Sequence, residues 1–286
     1  MRLITYLHDG IRSLGVVEEN LVIPISRPLK GIADDMISLI SNWDRAAPIV
    51  REAIATAQDA LPLAEVRLLA PIPRPGKIMC IGLNYEDHLA EFEVPAPEFQ
   101  TWFCKMPNAV NGPFDPLPLP IASAALDYEA ELVVVIGKGG KHITRERASE
   151  HVFGYCVGND ASIRDWQLRT SQFVLGKSFD GMAPFGPWIT TSDSVGDPHR
   201  LDISCHVNGE QRQNSNTSHL IFGIWEMIEH LSQAMTLEPG DIIFTGSPAG
   251  VGWSMKPPRA LVAGDKVQCA IEGLGAILST VEHETV

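Results

Sequence analysis

The sequence predicts a mixed, β-rich α+β protein in two parts: a small N-terminal α/β cap over residues 1–70 and a larger β-rich domain over residues 71–286. Three observations carry this. Short Val/Ile-rich runs separated by Gly, Pro, Asn and Asp recur through most of the chain, the punctuation of strands joined by turns. Strict alternation of strand and helix patterns is missing, which argues against a doubly wound parallel sheet. Finally, Ala70-Pro71-Ile72-Pro73-Arg74-Pro75-Gly76 concentrates three prolines and a glycine, an extended, turn-rich stretch suited to a boundary.

Residues 1–26 alternate apolar and polar around Asp9-Gly10 and Glu19-Asn20, the pattern of short strands joined by turns. Residues 34–58 place Ile37, Leu39, Ile40, Ile49, Val50 and Ile54 at helical spacing. Beyond the boundary, strands are expected at Lys77–Gly82, Leu132–Gly137, Ile203–Val207, Asp241–Thr245 and Lys266–Ile271, with helical inserts near Arg145–His151 and Ile221–Ala234. No internal repeat or low-complexity stretch interrupts the pattern.

With 286 residues, 45% of them hydrophobic and 20% charged, the chain is long enough to bury a sizeable core. Against 35 acidic residues it has 22 basic ones, a net charge of −13 that disfavours nucleic acid or an anionic membrane as partner. Cys80, Cys104, Cys156, Cys205 and Cys269 are scattered without a CxxC pair, so neither a zinc site nor a disulfide framework is indicated. The N-terminus MRLITYLHDG lacks the basic and apolar regions of an export signal, and no apolar run approaches the ~18 residues of a membrane span. A cytoplasmic location is expected, and the sequon Asn216-Thr217-Ser218 is read as accidental.

In DYEAELVVVIG (Asp127–Gly137) the apolar run marks a strand buried on both faces, and a period of two puts Glu129 and Glu131 on one side at its entrance. Two carboxylates held together repel and are partly desolvated unless a cation or hydrogen-bond donors compensate. A metal would do so; so would a salt bridge to Arg or Lys, or simple exposure at the strand end. Asp160, ending the apolar strand of GYCVGNDAS, is a third candidate, or else a helix N-cap. Three carboxylates without His or Cys are hard oxygen ligands, suited to Mg2+, Mn2+ or Ca2+.

In GLNYEDHLAE, Asn84 is a candidate N-cap with Asp87 three residues on, starting a short helix on which His88 and Glu91 share a face at i and i+3. A carboxylate beside an imidazole raises its basicity and fixes its orientation, as proton abstraction from water requires. The alternative is an ordinary surface ion pair. The following FEVPAPEF (Phe92–Phe99), rich in proline and acid, reads as a loop able to move with the helix like a lid.

In order along the chain, KIMCIGLNYEDH, DYEAELVVVIGK, GYCVGNDASIRDWQ, GKSFDGMAPFGPW, VNGE, LEPGDIIFTGSPAGVG and LVAGDKV resemble the fumarylacetoacetate hydrolase family over roughly residues 71–282. The resemblance implies a β-roll catalytic domain and a homodimer. It makes Glu129, Glu131 and Asp160 the metal ligands, with Mg2+ or Mn2+ first and Ca2+ next. His88 and Glu91 match the lid pair of the smaller acylpyruvate-cleaving members, and Lys177 matches a lysine facing the substrate, where its Gly176 and Ser178 neighbours alone would suggest a surface turn. Thr245, Gly246 and Ser247 match a Thr-Gly-Thr-Pro loop lining the site, with serine replacing the second threonine. Arg164 and Gln167 of SIRDWQ fall among the substrate-binding residues. Leu83 stands where some acylpyruvate hydrolases carry arginine. The stretch GVGWSMKPPRALVAGD is similar to members acting on 2,4-diketo-3-deoxy sugar acids, with Trp253 and Met255 making this edge bulky and apolar.

The implied reaction is hydrolysis of the C3–C4 bond of a 2,4-diketo acid to pyruvate and a carboxylic acid: the divalent ion polarises the 2-oxo acid end, His88 activates water and Lys177 receives the oxyanion. The same stabilised enolate serves oxaloacetate decarboxylation and isomerisation of 2-hydroxyhepta-2,4-diene-1,7-dioate. A rival of another class is a non-catalytic metal-binding β module. A serine hydrolase reading of Gly246-Ser247-Pro248-Ala249-Gly250 fails the G-x-S-x-G spacing.

Overall fold

The computed structural model describes residues 1–285. The chain opens with β1 (Arg2–His8), β2 (Ile11–Glu18) and β3 (Leu21–Pro24), an antiparallel meander. Asp9 and Gly10 join β1 to β2 with φ of 50° and 75°, the paired positive φ of the tight hairpin turn their identities suggest. Helix α1 (Met36–Ser41) starts where Asp35 and Ser38 cap each other reciprocally, and α2 (Trp43–Ala55) follows after a break at Asn42. These elements do not form a detached lobe: β1 pairs with β8 (Ala183–Thr191), Leu3 opposite Ile189, so the N-terminal meander extends the sheet of the main domain.

That sheet has 12 strands. Its centre runs β8, β7 (Val152–Asn159), β6 (Ala130–Ile136), β11 (Ile242–Phe244), β4 (Ile78–Gly82) and β5 (Thr101–Cys104), antiparallel throughout except for the parallel β11–β4 pair. Every residue of β6 is buried, as its unbroken apolar run requires. Leu132, Val134 and Ile136 pack with Ile203, Val207, Val267, Ile271 and Ile277 of a second sheet, in which β9 (Asp202–Val207) lies between β10 (Glu210–Asn216) and β12 (Lys266–Ile271), followed by β13 (Gly275–His283). Val133 and Val135 share the other core with Met36, Leu39, Ile40 and Val50 of the cap helices. The β-rich α+β expectation holds. All five cysteines are free, and Cys205 and Cys269 face each other across β9 and β12 with Sγ atoms 3.9 Å apart.

Both expected helical inserts are present, Arg145–His151 as a 3₁₀ helix and the second as an α-helix, α6 (Ile224–Ala234). One local expectation is corrected. Asn84 is not an N-cap: α3 (Glu86–Phe92) begins after Tyr85, and the fully buried Asn84 side chain instead donates to the carbonyls of Thr245 and Phe222 and accepts from the Phe222 N–H. A short amide buried with three backbone partners bolts neighbouring loops together, a tertiary use that local capping rules do not show. No helix among the described residues is long and apolar enough to cross a membrane.

Candidate active site

The register of β6 and β7 explains why distant carboxylates meet. Ala130 lies opposite Asn159 and Glu131 opposite Gly158; one residue further, the Asp160 N–H donates to the Glu129 carbonyl at 2.8 Å. Glu129, Glu131 and Asp160 are thereby gathered at one end of the sheet, 7%, 2% and 0% exposed, with oxygens within 4.8 Å of one another. Asp160 is not the N-cap of the next helix, α4 (Arg164–Gln167), whose cap position is Ile163.

Charges of both signs fill this end. Lys177, on α5 (Val174–Lys177), donates to Glu129 Oε2 and Asp160 Oδ2, each at 2.6 Å, and is buried rather than at a surface turn. Its helix reaches the site because residue 176 is glycine: a Cβ there would lie 2.2 Å from the Gln167 backbone nitrogen. Arg164 Nη1 donates to Glu129 Oε1 at 2.6 Å and to the Gln167 side-chain oxygen at 2.9 Å. Two participants carry no expectation from sequence. Lys105, just past β5, donates to Asp160 Oδ1 at 2.5 Å and to the Ala161 carbonyl, fully buried. Asp127 accepts from Arg164 Nε and from the Gly252 and Trp253 N–H groups, fixing the arginine and one wall together. The signal for Asp127 was available, since the period of two that pairs residues 129 and 131 also includes 127; a lone lysine in TWFCKMP offers no comparable pattern.

The carboxylates are not equivalent. Burial pushes the Glu129 carboxyl up, but Lys177 and Arg164 outweigh it and hold the group well below the usual carboxylate range. Glu131 is pushed well above it, by burial first and then by Asp160 and Glu129. Its one hydrogen bond among the described residues comes from the Gly246 N–H at 2.8 Å. Gly246 has φ 98°, and a Cβ would meet that of Asn84 at 2.8 Å, so glycine is required to present this N–H. A buried carboxylate without an ion pair among the described residues, beside two others, fits a divalent cation, and the all-oxygen donor set fits Mg2+, Mn2+ or Ca2+.

Across a cavity of about 420 Å³, α3 brings His88 to face Glu129 and Glu131. His88 Nδ1 and Glu91 Oε2 lie 3.3 Å apart, close enough to attract, yet neither forms a directed hydrogen bond and both are buried. The other Glu91 oxygen accepts from the Gly250 N–H at 3.0 Å and from Ser254 Oγ at 2.5 Å. Burial raises the Glu91 carboxyl, but the adjacent His88 and the hydrogen bonds from Ser254 and Gly250 outweigh it, so the group is lowered. Glu93 ends the helix at φ 55°, and Phe92 and Val94 turn into the cavity.

The remaining candidates divide. Arg164, Gln167, Lys177, Ser247 and Trp253 line the cavity. Thr245 does not: its hydroxyl donates to the Leu132 carbonyl at 3.0 Å, and Gly246 acts through Glu131. Met255 turns its sulfur to Arg212. Arg164 Nη2 lies 2.8 Å from Asp127 Oδ2 without a well-directed hydrogen bond and is itself buried.

Comparison with known proteins matches this arrangement to a family. Residues 77–282 match the description "Fumarylacetoacetate (FAA) hydrolase C-terminal" and residues 1–71 match "Rv2993c-like, N-terminal". The chain is 48% identical to a mitochondrial oxaloacetate tautomerase, FAHD2A, of Bos taurus over 248 residues, covering 86% of this chain and 79% of that one. A putative HpcE protein from Mycobacterium smegmatis superposes with a TM-score of 0.88 at 37% identity, each chain covered fully. Maleylpyruvate hydrolase from Sphingobium sp. SYK-6, solved with manganese (II) ion and pyruvate, gives 0.86 at 33% identity, again with both chains fully covered. The enzymes among these relatives are hydrolases, isomerases and tautomerases. The chain belongs to the fumarylacetoacetate hydrolase family.

Proposed function

We propose that the chain is a divalent-metal-dependent enzyme that hydrolyses the C3–C4 bond of a small 2,4-diketo acid, acylpyruvate or 2,4-diketo-3-deoxy sugar acid in type, to pyruvate and a carboxylic acid. The observation that carries this reading is the His88–Glu91 pair facing Glu129 and Glu131 across one cavity. Glu129, Glu131 and Asp160 would hold the ion, which when bound supplies Lewis acidity toward the 2-oxo acid end. The manganese and pyruvate reported with the maleylpyruvate hydrolase relative support that assignment.

The protein's own groups then have distinct tasks. Arg164 and the Gln167 amide, both lining the cavity, hold the substrate carboxylate. His88, oriented by Glu91, takes a proton from water as the oxygen attacks C4. Lys177 spends two of its three protons on Glu129 and Asp160 and keeps one for the oxyanion that develops there. When the C3–C4 bond breaks, its electron pair stays with C3 and the proton held by His88 is returned there. Water has then been added across the bond.

A second reading is keto–enol tautomerisation of oxaloacetate, favoured by the name of the bovine relative. It needs proton transfer at C3 and no attacking water. The two separate in one experiment: with Mn2+ or Mg2+ present, pyruvate release is followed across acylpyruvates, diketo sugar acids and oxaloacetate, alongside the ultraviolet decay of the oxaloacetate enol. Pyruvate from a diketo acid supports hydrolysis; enol decay alone assigns the tautomerase; silence in both assays removes the shared chemistry. A homodimer is part of the proposal, and a monomeric mass by light scattering at micromolar concentration would remove it.

A further inference from the structure

Away from the carboxylates the cavity changes character. Its remaining wall is built mainly from Leu83, Phe92, Val94, Leu168, Phe173 and Trp253. The cations that line it, Arg164 and Lys177, both lie 2.6 Å from Glu129, at the head end. His88 is engaged with Glu91. No other cation lines the cavity among the described residues.

Two further observations mark this apolar wall as a surface awaiting a ligand. Leu83, Phe92, Val94 and Leu168 remain 39%, 39%, 39% and 57% exposed, a cluster of large apolar side chains at the mouth of one cavity. Leu83 also sits at φ 56°, in the left-handed region that a branched side chain disfavours. Strain retained at a cavity mouth points to a positioned side chain.

Charge bookkeeping agrees. At the head end the buried carboxylates Asp127, Glu129, Glu131 and Asp160 face Lys105, Arg164 and Lys177, four negative groups against three positive. A divalent cation plus a monoanionic ligand makes that cluster neutral. A second ligand carboxylate would be desolvated against leucine, phenylalanine and tryptophan with no cation to meet it.

We infer that the group beyond C4 of the ligand is an uncharged apolar chain or ring, so the site prefers monoanionic 2-oxo acids with apolar tails over the dicarboxylates that the names of its relatives imply. The inference rests on the 2-oxo acid reading above and stands against the second reading, whose substrate oxaloacetate is itself a dicarboxylate. A tail lying on this wall adds about fourfold in affinity per buried methylene.

The test is calorimetric titration of the Mn2+-loaded protein with 2-oxopentanoate, 2-oxooctanoate and the length-matched diacid 2-oxooctanedioate, with pyruvate release from the corresponding 2,4-dioxo acids measured in parallel. Expected are a rise in affinity with tail length and at least about tenfold tighter binding of 2-oxooctanoate than of the diacid. Leu83→Arg, which brings a cation to a partly exposed position, should narrow or invert that ratio; Leu168→Lys, at a more exposed position, is the second variant should the first not fold. Equal or tighter binding of the diacid overturns the inference, as does failure of every ligand to bind. Preferential binding of 2-oxooctanoate without pyruvate release from any dioxo acid supports it while sinking hydrolysis.

Discussion

The two ends of the cavity are built in opposite ways. At the inner end, carboxylates at the ends of β6 and β7 meet cations from α4, α5 and the residue after β5; Lys105, Lys177 and Arg164 fix Asp160 and Glu129 through bonds of 2.5–2.6 Å. At the outer end, the seven residues of α3 carry His88 and Glu91, whose facing atoms are buried yet make no directed hydrogen bond, and the chain beyond Glu93 has no regular structure until Thr101. Rigidity is concentrated where opposing charges must be held together. The proposed acid–base pair rides on a short helix that leads into a stretch without regular structure, the arrangement of enzymes whose lids complete the site on closure.

Removing the cation should have the largest effect, because it dismantles the function of the inner end alone. Exhaustive chelation is expected to take turnover to background, with recovery on adding Mn2+ or Mg2+; full turnover by the chelated protein would mean that Glu129, Glu131 and Asp160 serve only the fold. His88→Ala should come next, lowering hydrolysis by about 10²–10⁴-fold. Because α3 contributes little to either core, the same variant should lose no more than about 1 kcal/mol relative to wild type in urea unfolding. A large loss of stability would erase the contrast between the ends.

Lys105→Met sharpens the comparison from the other side. It removes one member of a buried pair and leaves Asp160 with less compensation, a change expected to cost about 3–5 kcal/mol of stability in cation-free protein. Added Mn2+ should return part of that loss. Indifference of the melting temperature to the substitution would show that Lys105 is a bystander.

The same contrast explains what could be read from the sequence. Glu129 and Glu131 were legible because strand periodicity is local, and Asp160 joined them through the ordered motifs of the family. Lys105 and Asn84 were not, because their roles exist only between segments far apart in the chain: Lys105 meets a residue 55 positions away, and Asn84 holds Phe222 and Thr245 at separations of 138 and 161. Local rules misread Asn84 as a cap for that reason. Arg145–His151 has the composition of a helix but only seven residues, and it settled as a 3₁₀ run. The continuous sheet across residue 70 depends on β1 meeting β8, a pairing between residues nearly two hundred apart that no boundary signal reveals.

The smallest effect concerns Glu91, and its sign follows from its surroundings. Its carboxyl is held below the usual glutamate value of 4.5 because the adjacent His88 and the hydrogen bonds from Ser254 and Gly250 outweigh burial. A group lowered on folding contributes stability that is fully present above its unfolded value and is lost as pH falls through its folded one. Glu91→Gln retains an acceptor for Ser254 and Gly250 but loses the charge, so the wild type should exceed it in stability by less than about 1 kcal/mol near neutrality. That difference should shrink toward zero as acid protonates Glu91. Urea unfolding of both proteins at a series of pH values from neutral to below 4 reads it directly, and a gap that widens on acidification would mean that the carboxylate is a cost to the folded state. The outer end would then be strained rather than merely unfinished.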